Sequence, residues 1–250
     1  MLPPAVTFRG YRLAIKNAMR LFDASSMLVN AHSAVALGLA QIGQEEIGKS
    51  LSLLAAIGLK PVPDAWNWFW QGWRDHGMKA HRAYLYELLD PLRIEIQAPD
   101  GRILDGGPLR DRIAMEKEAA FYVDFDGMTK EFIAPEDAVK HFEAYSRIAT
   151  LGYLARTASI VHDTLIAKDL EYRTTAFSEI AFRICTENIY QQDMTAILEE
   201  FAKRSPKRHE LIEDLRRGFA ENPLFRKGRK GNHLIQNPTG SEPTDGATEG

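Results

Sequence analysis

Between Ala31 and Leu59 the chain carries only three charged residues, Glu45, Glu46 and Lys49. Alanine, leucine, isoleucine, glycine and uncharged polar residues make up nearly all the rest. A segment apolar on almost every face belongs at the centre of a packed molecule. The pattern predicts a buried helix over about 32–57, stopped by Gly58 and by Pro61 and Pro63. Its three charges are then what the fold has to accommodate. Glu45 and Lys49 are spaced i,i+4 with the carboxylate first, yet such a pair contributes only about 0.2–0.5 kcal/mol on an isolated helix. Removing an ion from water costs roughly several kcal/mol. The charges of QEEIGKS must line a polar cleft or meet partners on another helix.

The next segment supplies candidates. All four tryptophans fall in WNWFWQGW, residues 66–73. Trp66, Phe69, Trp70 and Trp73 follow the i, i+3, i+4, i+7 rule and form one stripe, with Trp68 off it. This predicts a core anchor at the start of a helix running from about 65 to 90, with Asp64 as its N-cap. A base-stacking platform would interleave aromatic with basic residues. Here Arg74, His76, Lys79, His81 and Arg82 come after the tryptophans. So anchored, the helix sets His76 and Lys79 opposite EEIGK. Glu46, Lys49 and His76 are the candidates for a polar cleft, and Glu45, Arg74 and Lys79 for binding residues around it.

Elsewhere the pattern is also mainly helical. Residues 11–30 put Ile15, Ala18, Met19, Phe22 and Val29 on one face. Residues 94–112 are turn-rich and read as a loop or short hairpin. In YVDFDGMTKEFIAPED, two β-prone runs flank Asp126-Gly127, which predicts a hairpin with a two-residue turn. Pro135, followed by Glu136 and Asp137, opens a long helix over 136–168. Further helices are expected over 174–203 and 206–221. The stretch from Arg226 to Lys230 is basic, and the last fifteen residues have the composition of a disordered tail. The expected architecture is all-α with a small β-hairpin insertion.

Bulk properties narrow the classes of function. With 45% hydrophobic residues, 26% charged and a net charge of -3, the composition is that of a soluble globular protein. It does not announce nucleic-acid binding, although a local patch such as Arg226–Lys230 can add affinity for RNA. The single cysteine, Cys185, leaves no internal disulfide or cysteine metal cluster and fits a reducing cytoplasm. MLPPAVTFRGYR lacks the charged start and apolar run of a signal peptide. Residues 24–44 are uncharged but hold Ser25, Asn30, His32, Gln41 and Gln44, too many polar groups for a membrane span. No glutamate has a histidine three positions on, so the carboxylate-bridged bundle metal site is not present. The expectation is a cytoplasmic protein with no metal, no cofactor and no membrane partner.

Three elements recur in a familiar order: EEIGK on an alanine-rich helix, an H-x-x-K step at His76 and Lys79, and YVDFD-hairpin-aromatic-x-x-P-E-D at residues 122–137. This order resembles the AbiV family of abortive-infection proteins, within the HEPN superfamily of helical domains. The resemblance implies an antiparallel HEPN-like bundle over residues 8–168. A helical extension over 170–225 would pack on it, before the tail at 226–250. It further implies a homodimer, a role in defence against phage, and RNA, the translation machinery or a phage-encoded protein as partner.

Many HEPN proteins are metal-independent endoribonucleases with an R-x4-6-H motif. Arg156 and His162, five residues between them, have that form. Arginine can hold a phosphate in its planar fork of donors. A histidine can move the proton of a ribose 2′-OH. On a continuous helix the two point about 120° apart, so convergence needs a local break or a second subunit. Two readings stand: an RNA-cleaving HEPN toxin, or a non-catalytic defence protein of the same fold that works by binding.

Overall fold

The structure is a computed structural model that describes residues 2–59, 62–89, 115–126, 128–187 and 191–222. Helix α1 (Pro4–Leu28) begins with a proline at its first turn, where the missing N–H has no helical partner to lose. Helix α2 (Ser33–Ile57) is the charge-poor segment, and it is buried on nearly all sides. Absence of charge is what lets other helices close around it. α1 lies along one flank of α2, and later helices make up the rest of its surroundings.

The aromatic segment departs from expectation. In place of one helix from about 65 to 90 there are three pieces: α3 (Pro63–Arg74), α4 (His76–Tyr84) and a 3-10 turn over Leu85–Leu89. The chain breaks at Asp75, whose backbone is extended and whose carboxylate accepts from the Met78 N–H at 2.8 Å. A carboxylate that caps a new helix outcompetes one more turn of the old one. At the start of α3, Val62 occupies the cap position and Pro63 the first turn, so Asp64 lies within the helix instead of capping it. Trp66 and Phe69 are buried, Trp73 is half-buried and Trp70 is 36% exposed. Trp68, off the stripe, is not bare. It lies edge-on to Phe182 at 5.5 Å, with the Arg82 guanidinium 4.5 Å over its ring.

Helical residues 115–121 (α5) lead into a hairpin of β1 (Asp124–Asp126) and β2 (Glu131–Ile133), with Asp124 opposite Ile133 and Asp126 opposite Glu131. Asp126 is therefore paired within the ladder. With Asp126 paired to Glu131 the expected two-residue turn at Asp126-Gly127 is not formed, and Lys130 takes the left-handed conformation at φ 62°. The expected helix over 136–168 is divided into α6 (Pro135–Ala138) and α7 (His141–Ile166) by extended backbone at Val139 and Lys140. The one expected over 174–203 is likewise α8 (Leu170–Thr186) and α9 (Gln191–Lys203). α10 (Pro206–Glu221) begins where Ser205 Oγ accepts from the Arg208 N–H at 3.3 Å. The predicted loop at 94–112 and the tail from Arg226 lie outside the described residues.

The fold is all-α, with this one small hairpin among the described residues. One apolar cluster runs through it, joining Tyr11 of α1, Leu51 and Leu54 of α2, Leu154 of α7, Phe177 of α8 and Phe219 of α10. A buried ion pair fastens the last helices. Arg173, 3% exposed, donates to Asp214 at 2.5 Å and to the Thr164 carbonyl at 2.7 Å. No described helix is long and apolar enough to cross a membrane.

Candidate functional site

Gly48 determines how closely α4 approaches α2. A Cβ at this position would stand 1.6 Å from the main-chain oxygen of Lys79, so only a residue without a side chain lets the two backbones cross there. The crossing brings His76 and Lys79 over Glu45. That carboxylate is 4% exposed. Oε2 accepts from His76 Nδ1 at 2.7 Å and faces Lys79 Nζ at 3.6 Å, while Oε1 accepts from Lys117 Nζ of α5 at 2.7 Å. Lys117 Nζ also stands 3.3 Å from His76 Nδ1. Both atoms are committed as donors to Glu45, so this is a close approach and not a further bond.

Burial pushes the Glu45 carboxyl up, but the hydrogen bonds from Lys117 and His76 outweigh it and hold the group below the usual carboxylate range. Lys79 shows the converse. Burial lowers its ammonium pKa, and Glu45 only partly restores it. The buried carboxylate thus remains ionised at the junction of α2, α4 and α5. Beside it, Glu116 of α5 accepts from Gln41 at 3.1 Å and from Arg147 of α7, which also donates to the Tyr84 hydroxyl at 2.6 Å. Lys117, Glu116 and Arg147 were not among the residues expected from sequence. Nothing in the short run MEKEAA marks two of its charges as core partners.

Glu46 and Lys49 face the other way. They pair with each other at i,i+3, where the sequence suggested Glu45 with Lys49. Both line a groove of ≈ 720 Å³ between α1, α2 and α3. Across it stand Lys16, Asn17 and Arg20 of α1, and its aromatic wall is Phe69, Trp70 and Trp73. Lys49 Nζ lies 5.9 Å from the centre of the Trp73 ring. The structure therefore separates the expected cleft residues. Glu46 and Lys49 belong to the groove, while His76, 64% exposed, belongs with Glu45. Arg74 is exposed at the end of α3.

α7 is unbroken through Arg156 and His162, so the pair stays about 120° apart around one helix. Arg156 is exposed. His162 is half-buried against α1, its ring 6.1 Å from Phe8 and 5.6 Å from Tyr11. Burial holds its imidazole pKa below the usual value, with Asp163 opposing the shift and Arg12 of α1 reinforcing it. Arg12 belongs to a row. Arg9, Arg12, Lys16 and Arg20 follow i, i+3, i+7, i+11 and share one exposed face of α1. Among the described residues none of the four has an ion-pair or hydrogen-bond partner. The row leads from the vicinity of His162 to the groove wall.

A family model described as AbiV, of the HEPN type, matches residues 6–154. The chain belongs to the AbiV family. The AbiV match takes in the EEIGK helix, the aromatic segment, the hairpin and the first half of α7. It stops two residues short of Arg156, so Arg156, His162 and α8–α10 lie beyond it. Inside it lies another arginine and histidine with six residues between them, Arg74 and His81. The helix break at Asp75 separates that pair. No curated protein and no solved structure matches this AbiV-family chain.

Proposed function

We propose that this AbiV-family chain is an abortive-infection effector against phage that acts on RNA as a HEPN-type toxin in the bacterial cytoplasm. The observation that carries the reading is the position of His162, a half-buried imidazole at one end of a row of α1 cations that have no partner among the described residues. A histidine with its pKa held down is neutral at neutral pH and can accept a proton from a ribose 2′-OH. An adjacent guanidinium can neutralise the phosphate as the oxygen attacks it. Such a cleavage needs no metal and leaves a cyclic phosphate end. Because α7 is unbroken, the reading takes the Arg156 that faces a given His162 from a second copy of the chain across a two-fold axis, so a homodimer is part of it.

Expression of the wild type and of His162→Ala, Arg156→Ala and His81→Ala, with total RNA inspected for fragments ending in cyclic phosphate, tests the proposal. Fragments from wild type and from His81→Ala, but from neither of the other two, would support it. Cleavage retained by both His162→Ala and Arg156→Ala would remove that pair from the mechanism.

A second reading has an observation of its own. The hairpin and its flanks leave Tyr122, Val123, Met128, Phe132 and Phe142 exposed, with Met128 at 93%. Exposed apolar groups in such number favour a protein contact. On this reading the chain binds a phage-encoded protein or the translation machinery without chemistry of its own. Purified protein that never cleaves RNA, yet arrests translation when a phage factor is added, would favour it.

A further inference from the structure

The cation row on α1 goes unanswered in a chain whose net charge is -3. Arg9, Arg12, Lys16 and Arg20 are all exposed, and none has an ion-pair or hydrogen-bond partner among the described residues. Asp163 of α7 opposes Arg12 in its effect on His162, yet forms no ion pair with it. Like charges one turn apart on a helix repel, so a counter-charge along this face would relieve the row. The carboxylates suited to supply it lie farther along the chain. Residues 236–250, QNPTGSEPTDGATEG, hold Glu242, Asp245 and Glu249 and no lysine, arginine or histidine. The stretch Arg226–Lys230 has the row's own sign, and residues 90–114 mix both signs.

Placement favours the same segment. α10 runs antiparallel to α7, with Lys168 meeting Glu210 and Ile160 beside Gly218. α1 packs on the same stretch of α7, Phe8 against His162 and Phe22 beside Gly152. The end of α10 and Lys16 therefore fall near one level of α7. With helices packed roughly 8–10 Å apart, the row is about 20 Å from that end. The chain from Asn222 to Glu242 can span up to about 66 Å. Glu242 to Glu249 can cover about 23 Å, and the row is about 16 Å long.

We infer that the acidic segment 242–249 docks on the α1 row of its own chain, its three carboxylates against Arg12, Lys16 and Arg20. Each exposed ion pair is weak alone. Tethering makes the encounter intramolecular, at an effective concentration on the order of millimolar, and three weak pairs then populate the docked form. A row so covered has to shed its own carboxylates before it takes another polyanion, so the segment is a built-in competitor. The contact needs nothing from the RNA-acting reading; only the identity of the polyanion kept off the row rests on it.

Energy transfer from the tryptophans tests the contact on the full chain. All four lie on α3, with Trp70 and Trp73 across the groove from Lys16 and Arg20. A dansyl-type acceptor attached at Ala247→Cys reports the segment. Burial pushes the Cys185 thiol up to about 12, so labelling near neutral pH favours the new cysteine. Transfer is expected to be strong at low salt and to fall about threefold by roughly 0.5 M salt. Arg12→Glu with Lys16→Glu and Arg20→Glu should abolish it. Adding Glu242→Lys, Asp245→Lys and Glu249→Lys to that chain should restore it. Inorganic polyphosphate at constant ionic strength should displace the segment from the wild type and lower its transfer. The three α1 positions are exposed, and unchanged thermal unfolding checks that the variants fold. Weak transfer in the wild type, transfer that survives the α1 reversal, no recovery on the charge swap, or indifference to polyphosphate overturns the inference. The ribonuclease reading would fail separately, through RNA cleavage that survives loss of His162.

Discussion

Glu45 and Glu46 are neighbours in the chain, yet their carboxylates serve different surfaces of α2. Glu45 is enclosed by His76, Lys79 and Lys117, whereas Glu46 reaches into the groove and pairs with Lys49. Consecutive helical residues point about 100° apart, and this is enough to give one carboxylate an interior and the other a rim. Removing the first leaves Lys79 buried without its anion. Glu45→Ala is expected to cost about 3–5 kcal/mol, and Glu46→Ala less than about 1 kcal/mol. Urea unfolding of the two variants measures the difference, and equal losses would contradict the assignment of Glu45 as the hub.

Gly48→Ala sets two effects against each other. Alanine is the better helix former by roughly 1 kcal/mol. Its methyl group, however, would sit 1.6 Å from the Lys79 carbonyl oxygen, a main-chain atom that no rotamer change can move. The steric effect wins, and α4 must lift away from α2. We expect a loss above about 3 kcal/mol, or failure to accumulate as soluble protein. Thermal unfolding showing an unchanged or raised midpoint would refute the close crossing.

The pH dependence of stability carries a signature of His162. Its folded-state pKa lies below the ordinary value of 6.5, so the unfolded chain binds the proton more readily. Above pH 6.5 both states are neutral at this residue and it contributes nothing. As pH falls through 6.5 toward the folded-state value, stability is lost. His162→Gln should lose less stability than wild type over that window and behave alike above it. Denaturation series at several pH values would show whether the two curves diverge on the acid side.

Arg173 and Asp214 link α8 to α10, with Thr164 of α7 as the third member. Asp214→Ala leaves a guanidinium that is 3% exposed with its main anion gone. We expect a cost of about 3 kcal/mol. Because the apolar cluster runs from α1 to α10, the loss should lower one cooperative transition. A separate early transition, seen by calorimetry, would instead show residues 170–222 unfolding by themselves.

The central helix was legible because charge is so sparse over residues 31–59 that burial is the only economical solution. The helix expected over 206–221 is α10, with the same bounds. The break at Asp75 was not legible. No glycine or proline interrupts the chain at that point, and only the hydrogen bond to Met78 reveals a cap. The hairpin was visible in Asp126-Gly127, but Asp126 joined the ladder and the left-handed turn fell to Lys130. Within the site, the sequence brought His76 and Lys79 toward EEIGK but did not divide Glu45 from Glu46. Helix phase alone cannot say which neighbour will occupy each face. Lys117 and Arg12 were invisible for the same reason: each acts on a residue far away in the chain.

The enclosure of Glu45 also has a consequence in time. Its hydrogen-bond donors, His76 and Lys117, lie 31 and 72 residues downstream. Until both arrive, the carboxylate must stay hydrated, and it holds water against the most apolar helix in the chain. Local helix formation at residues 33–57 can therefore be early while its burial is not. The closing of that long loop, with its entropic cost, should gate the collapse of the core, so variants of Lys117 would be expected to slow folding as well as weaken the folded state.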